Sequence, residues 1–331
     1  MNTMKWLLRR EFWEHKGGFV WAPLVAALIM VVLVGGMIGY GMATGKLNGD
    51  SVTITVGGEE VHRSNGAPIS TLAERHTRNE IASVAANNYL AIGAPIFLVL
   101  PTVAFFYCLG ALYDDRRDRS ILFWKSLPIS DTTTVLSKLA TALVLAPAIT
   151  IAIASAAAFL ILMLAGVAAN HQGLNLFGPV LSNINLYLSP VYLLAMIPVY
   201  ILWALPTAGW LLLVSSWAKS KVFLWAVGLP LIAAVLLKWM DYLLALYGTT
   251  INADWIINNV LETLLLGLVP GAWFMDGGTA LPLRAQHGVD MLSVLGASWG
   301  SLARPELWVG VAAGAAMIFG AIRLRRWRDE G

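Results

Sequence analysis

Two things are scarce in this chain. Of its 331 residues one is cysteine, Cys108, so a disulfide within the chain is impossible and a metal site built on cysteine is not expected. Charge is the second scarcity. Asp, Glu, Lys and Arg make up 12% of the residues, against about 25% in soluble domains. Hydrophobic residues reach 58% and the mean hydropathy is +0.71. So little charge cannot cover the surface of a soluble fold. The composition therefore reads as a polytopic membrane protein and excludes a free soluble enzyme, a nucleic-acid-binding module and a disordered hub. The sequence pI near 9.0 goes with a net charge of only +3, which membrane topology explains better than nucleic-acid affinity.

Catalytic signatures are missing too. The sequence contains no G-x-x-x-x-G-K-[ST] phosphate loop and no His-Glu-x-x-His. It offers no paired aspartates within an apolar run, so no catalytic or metal-ligating residues are assigned. His62 and His76 lack partners at ligand spacing and read as solvated loop residues. No cleavable signal peptide is expected, because the first apolar stretch is too long for one and no A-x-A site follows it.

What is present is a set of apolar runs. A spanning helix needs about 20 apolar residues. The charge-free windows predict spans over Phe19–Tyr40 and Ala86–Leu112. Residues 139–218 carry no formal charge, and the polar stretch 170–185 divides them into Leu139–Ala169 and Tyr187–Val214. A fifth span covers Val222–Tyr247, and a sixth, the shortest, Pro305–Ile322. Trp255–Phe274 is interrupted by Asn258, Asn259, Glu262, Pro270 and Gly271, so it is expected to be a re-entrant or interfacial segment. The fold class is thus all-α with six transmembrane helices in one membrane domain spanning residues 1–331.

Lys and Arg set the orientation. With the N-terminus inside, the cytosolic side holds Lys5, Arg9, Arg10 and Lys16, then Arg116, Arg117, Arg119, Lys125 and Lys138. It also holds Lys219 and Lys221, and finally Arg323, Arg325, Arg326 and Arg328. These are most of the 22 Lys and Arg residues, so both termini are expected in the cytosol. In the outer loop 46–80, Val52, Ile54 and Val56 alternate with polar residues before Gly57-Gly58, which predicts a short hairpin. Thr71–Glu80 is expected to extend the second span as a helix.

Residues 4–16 form an interfacial helix in which Met4, Leu8 and Phe12 make one stripe and Trp6 and Trp13 another, with Lys5, Arg9 and Lys16 between. The cytosolic loop 114–131 opens on a mixed-charge turn with Asp115 and Arg119 at i,i+4. Four large apolar residues follow, Ile121, Leu122, Phe123 and Trp124, then Lys125, Leu127 and Pro128. Such a cluster in water marks a surface for a cytosolic partner or a loop folded onto the headgroups. Ser130 or Asp131 can cap the next helix.

Other residues leave their readings open. Lys238 and Asp241 share a helix face, either as a snorkelling interfacial pair or on a substrate path. Glu262 lines a wet exit path or is surface-exposed. Gly35/Gly39, Gly41/Gly45 and Gly310/Gly314 give small-xxx-small spacing. Pro190, Pro198 and Pro206 punctuate the fourth span.

The inner loop Leu112-Tyr113-Asp114-Asp115-Arg116-Arg117-Asp118-Arg119-Ser120-Ile121-Leu122-Phe123-Trp124-Lys125-Ser126-Leu127-Pro128 resembles that of bacterial permeases of the type-2 ATP-binding-cassette exporter class. So does Leu8-Arg9-Arg10-Glu11-Phe12-Trp13-Glu14. The resemblance implies a coupling helix over about Asp115–Leu127. Arg116, Arg117, Arg119 and Lys125 would set register, and the apolar tip would sit in a groove on a separate ATPase. It implies an interfacial helix carrying Trp6, Arg9, Arg10, Phe12 and Trp13. Implied partners are a soluble ATP-binding-cassette ATPase subunit, a second permease chain (identical or similar) and the lipid bilayer of the bacterial cytoplasmic (inner) membrane. No cofactor is expected on this chain, and ATP and Mg would bind the partner ATPase. The 35-residue outer loop is less typical of that class. An ion- or proton-coupled carrier and a membrane scaffold without transport are the alternatives.

Overall fold

The computed structural model describes residues 3–44, 51–56, 59–64, 71–118, 129–171, 173–274, 283–284 and 288–327, with 51–77 and 283–289 as backbone alone. Among these, six helices are long and apolar enough to cross a membrane: Gly17–Ala43, Arg78–Arg117, Asp131–His171, Phe177–Trp217, Leu224–Ala245 and Pro305–Trp327, here spans one to six. The chain is a multi-pass membrane protein. Each span extends from the apolar run that predicted it, because charges near a helix end do not stop a helix. Span six continues through Arg323, Arg325 and Arg326 to Trp327, so span five, at 22 residues, is the shortest rather than span six.

Proline shapes the spans. Three of them contain a wide π turn: Gly17–Trp21, Thr141–Leu145 and Leu224–Gly228. Each turn ends two residues before a proline, namely Pro23, Pro147 and Pro230. Proline has no N–H and its ring crowds the carbonyl four residues back, so a locally wider helix relieves the clash. The carbonyl that Pro230 cannot serve is that of Ala226, and it accepts a hydrogen bond from Trp210 Nε1 in span four at 2.9 Å. Span two breaks in its middle, at Gly93–Leu98, around Pro95.

Spans four and six form the closest pair in the core. Gly310 lies against Pro206, and Gly314 lies directly on the backbone of Leu205 and Pro206. A methyl group on Gly314 would come within 2.8 Å of the Leu205 carbonyl, and one on Gly209 within 2.6 Å of the Gly314 oxygen. The Gly310/Gly314 spacing therefore serves packing within the chain. Gly35 touches Leu164 of span three, whereas Gly39 faces open space. Spans one and five bury the least of their surface.

Residues between the spans add smaller elements. Ser51–Val56 pairs antiparallel with Glu59–Ser64, Val56 opposite Glu59, which is the expected hairpin across 57–58. The helix Thr71–Ile92 runs straight into span two, as anticipated. The segment 253–274 is a string of short helical pieces, Ala253–Ile256, Ile257–Leu261, Glu262–Leu266 and Ala272–Phe274. Its Gly267 packs onto Thr207 Oγ1 and the Trp203 carbonyl, and the Leu268 carbonyl accepts the Tyr200 hydroxyl at 3.1 Å. A further helix, Met291–Gly300, has no counterpart among the sequence expectations. It is held by Trp273 Nε1 donating to Ser298 Oγ at 3.1 Å.

The contrast between Gly314 and Gly39 is testable. Gly314→Ala forces backbone apart and should cost about 1–3 kcal/mol. Gly39→Ala meets nothing within 4 Å and should leave stability unchanged or slightly raised. Thermal melts of the two variants in one detergent compare them directly.

Candidate functional site

The N-terminal helix Thr3–Glu14 lies on the bundle and buries Leu7 and Glu11, one turn apart. The buried face is Leu7–Glu11; Met4, Leu8 and Phe12 of the expected stripe are half-buried, and Trp6, Arg9 and Trp13 are exposed. The face turns inward because Glu11 has partners there. Its carboxylate lies 3.2 Å from Lys138 Nζ and accepts the Tyr107 hydroxyl at 2.8 Å. Arg10 stands beside it, 3.7 Å from Glu11 and 3.2 Å from Glu14. The His15 ring meets Tyr107 edge-on, with centroids 4.8 Å apart.

Lys138 also reaches Asp115 Oδ2 at 3.5 Å. Asp115 is in turn 3.3 Å from Arg325 Nη1, and Arg325 Nε donates to Asp131 Oδ1 at 3.1 Å. Glu11, Asp115, Lys138 and Arg325 are all buried, Glu11 completely and Lys138 at 2% exposure. The chain Glu11–Lys138–Asp115–Arg325–Asp131 thus joins the N-terminal helix, the C-terminal end of span two, the first turns of span three and the end of span six. Those four parts share one face of the protein.

Local structure explains how each group arrives. Ser130 caps span three, its Oγ accepting the Thr133 N–H at 3.1 Å, and the helix then carries Asp131 and Lys138 two turns apart on one face. Span two breaks at residues 111–112, and Ser215 Oγ of span four accepts the Leu112 and Tyr113 N–H groups, each at 3.0 Å. A short helix, Tyr113–Arg117, follows and turns Asp115 inward. Arg116 donates to the Ser215 and Ala218 carbonyls, so it caps the end of span four.

Of the residues expected to contact an ATPase, Asp115 is therefore buried in an ion network and Arg116 is bound to span four. Both hold the base of the loop. Arg117 is exposed. Arg119, Ile121, Leu122, Phe123, Trp124, Lys125 and Leu127 lie outside the described residues. Lys238 pairs with Asp254 at 2.9 Å, both exposed, and not with Asp241, whose carboxylate accepts the Ile251 N–H at 2.7 Å. Glu262 is exposed. Among the described residues no group of three or more His, Cys, Asp or Glu is arranged to hold a metal ion.

Sequence reasoning treated Lys138 and Arg325 as loop charges and did not single out Glu11 as a site residue. The available signals were Lys138 two turns beyond Asp131 and Glu11 one turn beyond Leu7. No family model, no curated protein and no solved structure matches the chain.

Burial by itself pushes the Glu11 carboxyl up. The Lys138 ammonium, the Tyr107 hydrogen bond and Arg10 outweigh it and hold the group below its ordinary value of 4.5. A carboxyl lowered on folding stabilises the fold above its unfolded pKa, and that contribution is lost as pH falls through the folded value. Thermal stability should therefore fall as the pH drops below about 4.5, and Glu11→Gln should flatten this dependence. At neutral pH, Glu11→Ala leaves a buried ammonium short of a partner and should cost about 3–5 kcal/mol. A Glu11→Leu, Lys138→Met double variant should recover most of that loss, as a thermodynamic cycle in detergent would reveal.

Proposed function

We propose that this chain is the permease subunit of an ATP-driven exporter, working with a separate ATPase and a second permease chain. The charged face lies in the cytosol of a bacterial inner membrane. The observation that carries this reading is the buried network at the base of the 114–131 loop. Asp115 is tied to spans three and six through Lys138 and Arg325, and Arg116 is tied to span four. A force applied to this loop therefore reaches three spans and the N-terminal helix through side chains that are buried or paired.

Such a joint suits a subunit that receives motion from outside itself. The apolar tip Ile121–Trp124 is the natural seat for a cytosolic partner, and the distribution of Lys and Arg supports the orientation. ATP-driven closure of the partner would move the loop. The spans would then rearrange and release substrate toward the outer leaflet or the outer face. ATP and Mg belong to the partner in this scheme.

The first test is a mild-detergent pull-down of the tagged chain. Co-purification of a subunit bearing a G-x-x-x-x-G-K-[ST] loop supports the proposal. A Phe123→Asp, Trp124→Asp variant should insert normally but lose that subunit and its transport-linked ATP hydrolysis. Asp115→Asn should retain the subunit yet weaken coupling. Unchanged partner binding and transport in the Phe123/Trp124 variant would reject the coupling assignment, and recovery of the well-folded chain alone would favour a carrier driven by an ion gradient or a scaffold.

A further inference from the structure

In the half of the membrane domain away from the charge cluster lies an open chamber of about 530 Å³. Its walls come from five places: the broken middle of span two, Pro147 and Ile151 of span three, Leu193–Tyr200 of span four, residues 269–274, and the helix Met291–Gly300. The volume falls within the range of about 300–1,000 Å³ typical of small-molecule sites. None of the residues lining it is charged.

The walls are fixed rather than adaptable. Trp273 is buried and anchored by its hydrogen bond to Ser298. The hydroxyl of Tyr200, which could have made the chamber polar, is spent on the Leu268 carbonyl. Asn87 is the remaining polar lining group, and its side-chain oxygen accepts from Asn185 Nδ2 at 2.9 Å. The mouth is on the side of span two, where Ala91, Ala94 and Leu98 are exposed and Leu98 reaches 67%. Pro95 breaks the helix there, so the wall steps back from a straight path.

Chemistry limits what can fill this space. Protein interiors are close-packed, and an empty apolar chamber gives up the dispersion contacts of every wall atom. Water is a poor occupant, since a buried water needs two to four polar partners. A carboxylate or ammonium would lose its hydration with nothing to replace it. A hydrocarbon chain meets neither objection, and the mouth opens on the apolar flank of a membrane-spanning helix, where hydrocarbon is the surrounding solvent.

We propose that the chamber binds the alkyl chain of an amphiphile whose head is uncharged and hydrogen-bonding. The chain enters past Leu98 and lies against Met196 and Trp273, with the head at the Asn87–Asn185 pair. This is a statement about binding, and it stands or falls whether or not an ATPase drives the protein.

The test uses the full chain reconstituted in phosphatidylethanolamine vesicles with a monoacylglycerol carrying a diazirine in its alkyl chain. After photolysis, adducts should concentrate on residues 91–98, 193–200 and 269–274. They should be few on the exposed faces Leu28–Leu33 and Ile232–Leu236. Unlabelled monoacylglycerol should compete, and a fatty-acid probe of the same length, charged at neutral pH, should label the chamber less. Ala94→Phe displaces about two methylenes of chain and should lower chamber labelling about tenfold, leaving the exposed faces unchanged. Where that variant fails to insert, Leu98→Trp at the mouth serves in its place. Labelling that is equally dense on spans one and five, does not compete and is indifferent to the fillers would overturn the proposal.

Discussion

The architecture depends on one constraint: a buried charge must meet an opposite charge. Lys138 and Arg325 sit out of water, and each would be strongly destabilising alone. Their partners are supplied from other segments, Glu11 by the N-terminal helix and Asp115 by the C-terminal end of span two. No single element can satisfy its own charge. Four segments that are far apart in sequence must therefore arrive together, in one register, before any of them is stable there. Hydrophobic burial cannot impose such register on helices whose apolar residues run all the way round.

Elsewhere the spans are matched by shape. Pro206 disturbs span four where Gly310 and Gly314 of span six leave room for its backbone. Trp210 repairs the carbonyl left idle by Pro230. These two devices place span four between spans five and six at fixed height. The same span has its C-terminal end capped by Arg116 and forms part of the chamber wall with Met196 and Tyr200. Spans two, three and four each touch the loop base at one end and the apolar chamber along their length.

Much of the fold could be read from the sequence, because a run without charge is a strong and local signal. The six spans, the hairpin with Val56 opposite Glu59 and the helix beginning at Thr71 all came from patterns within a few residues. The site was far less legible. Asp115 and Arg116 were singled out, but as a contact surface, whereas the structure turns both inward or onto span four. Glu11, Lys138 and Arg325 drew no separate notice, because their significance lies in partners 127 and 210 residues away in sequence. The N-terminal helix shows the same limit: its apolar stripes were counted, whereas the residue that pairs with span three, Glu11, is an acid. The helix Met291–Gly300 was missed because its apolar run is too short to stand out as a span.

The network also has an order in time. Arg325 is the last member in chain order, and it joins Asp115 to Asp131. During synthesis the N-terminal helix and the first five spans emerge first. Until residue 325 leaves the ribosome, these two aspartates have no guanidinium to share. The earlier segments are then joined by Lys138, through Glu11 and Asp115, and by packing. A chain halted before span six would lack both contacts of Arg325. One arginine in the sixth span thus closes a network whose other members are made before it.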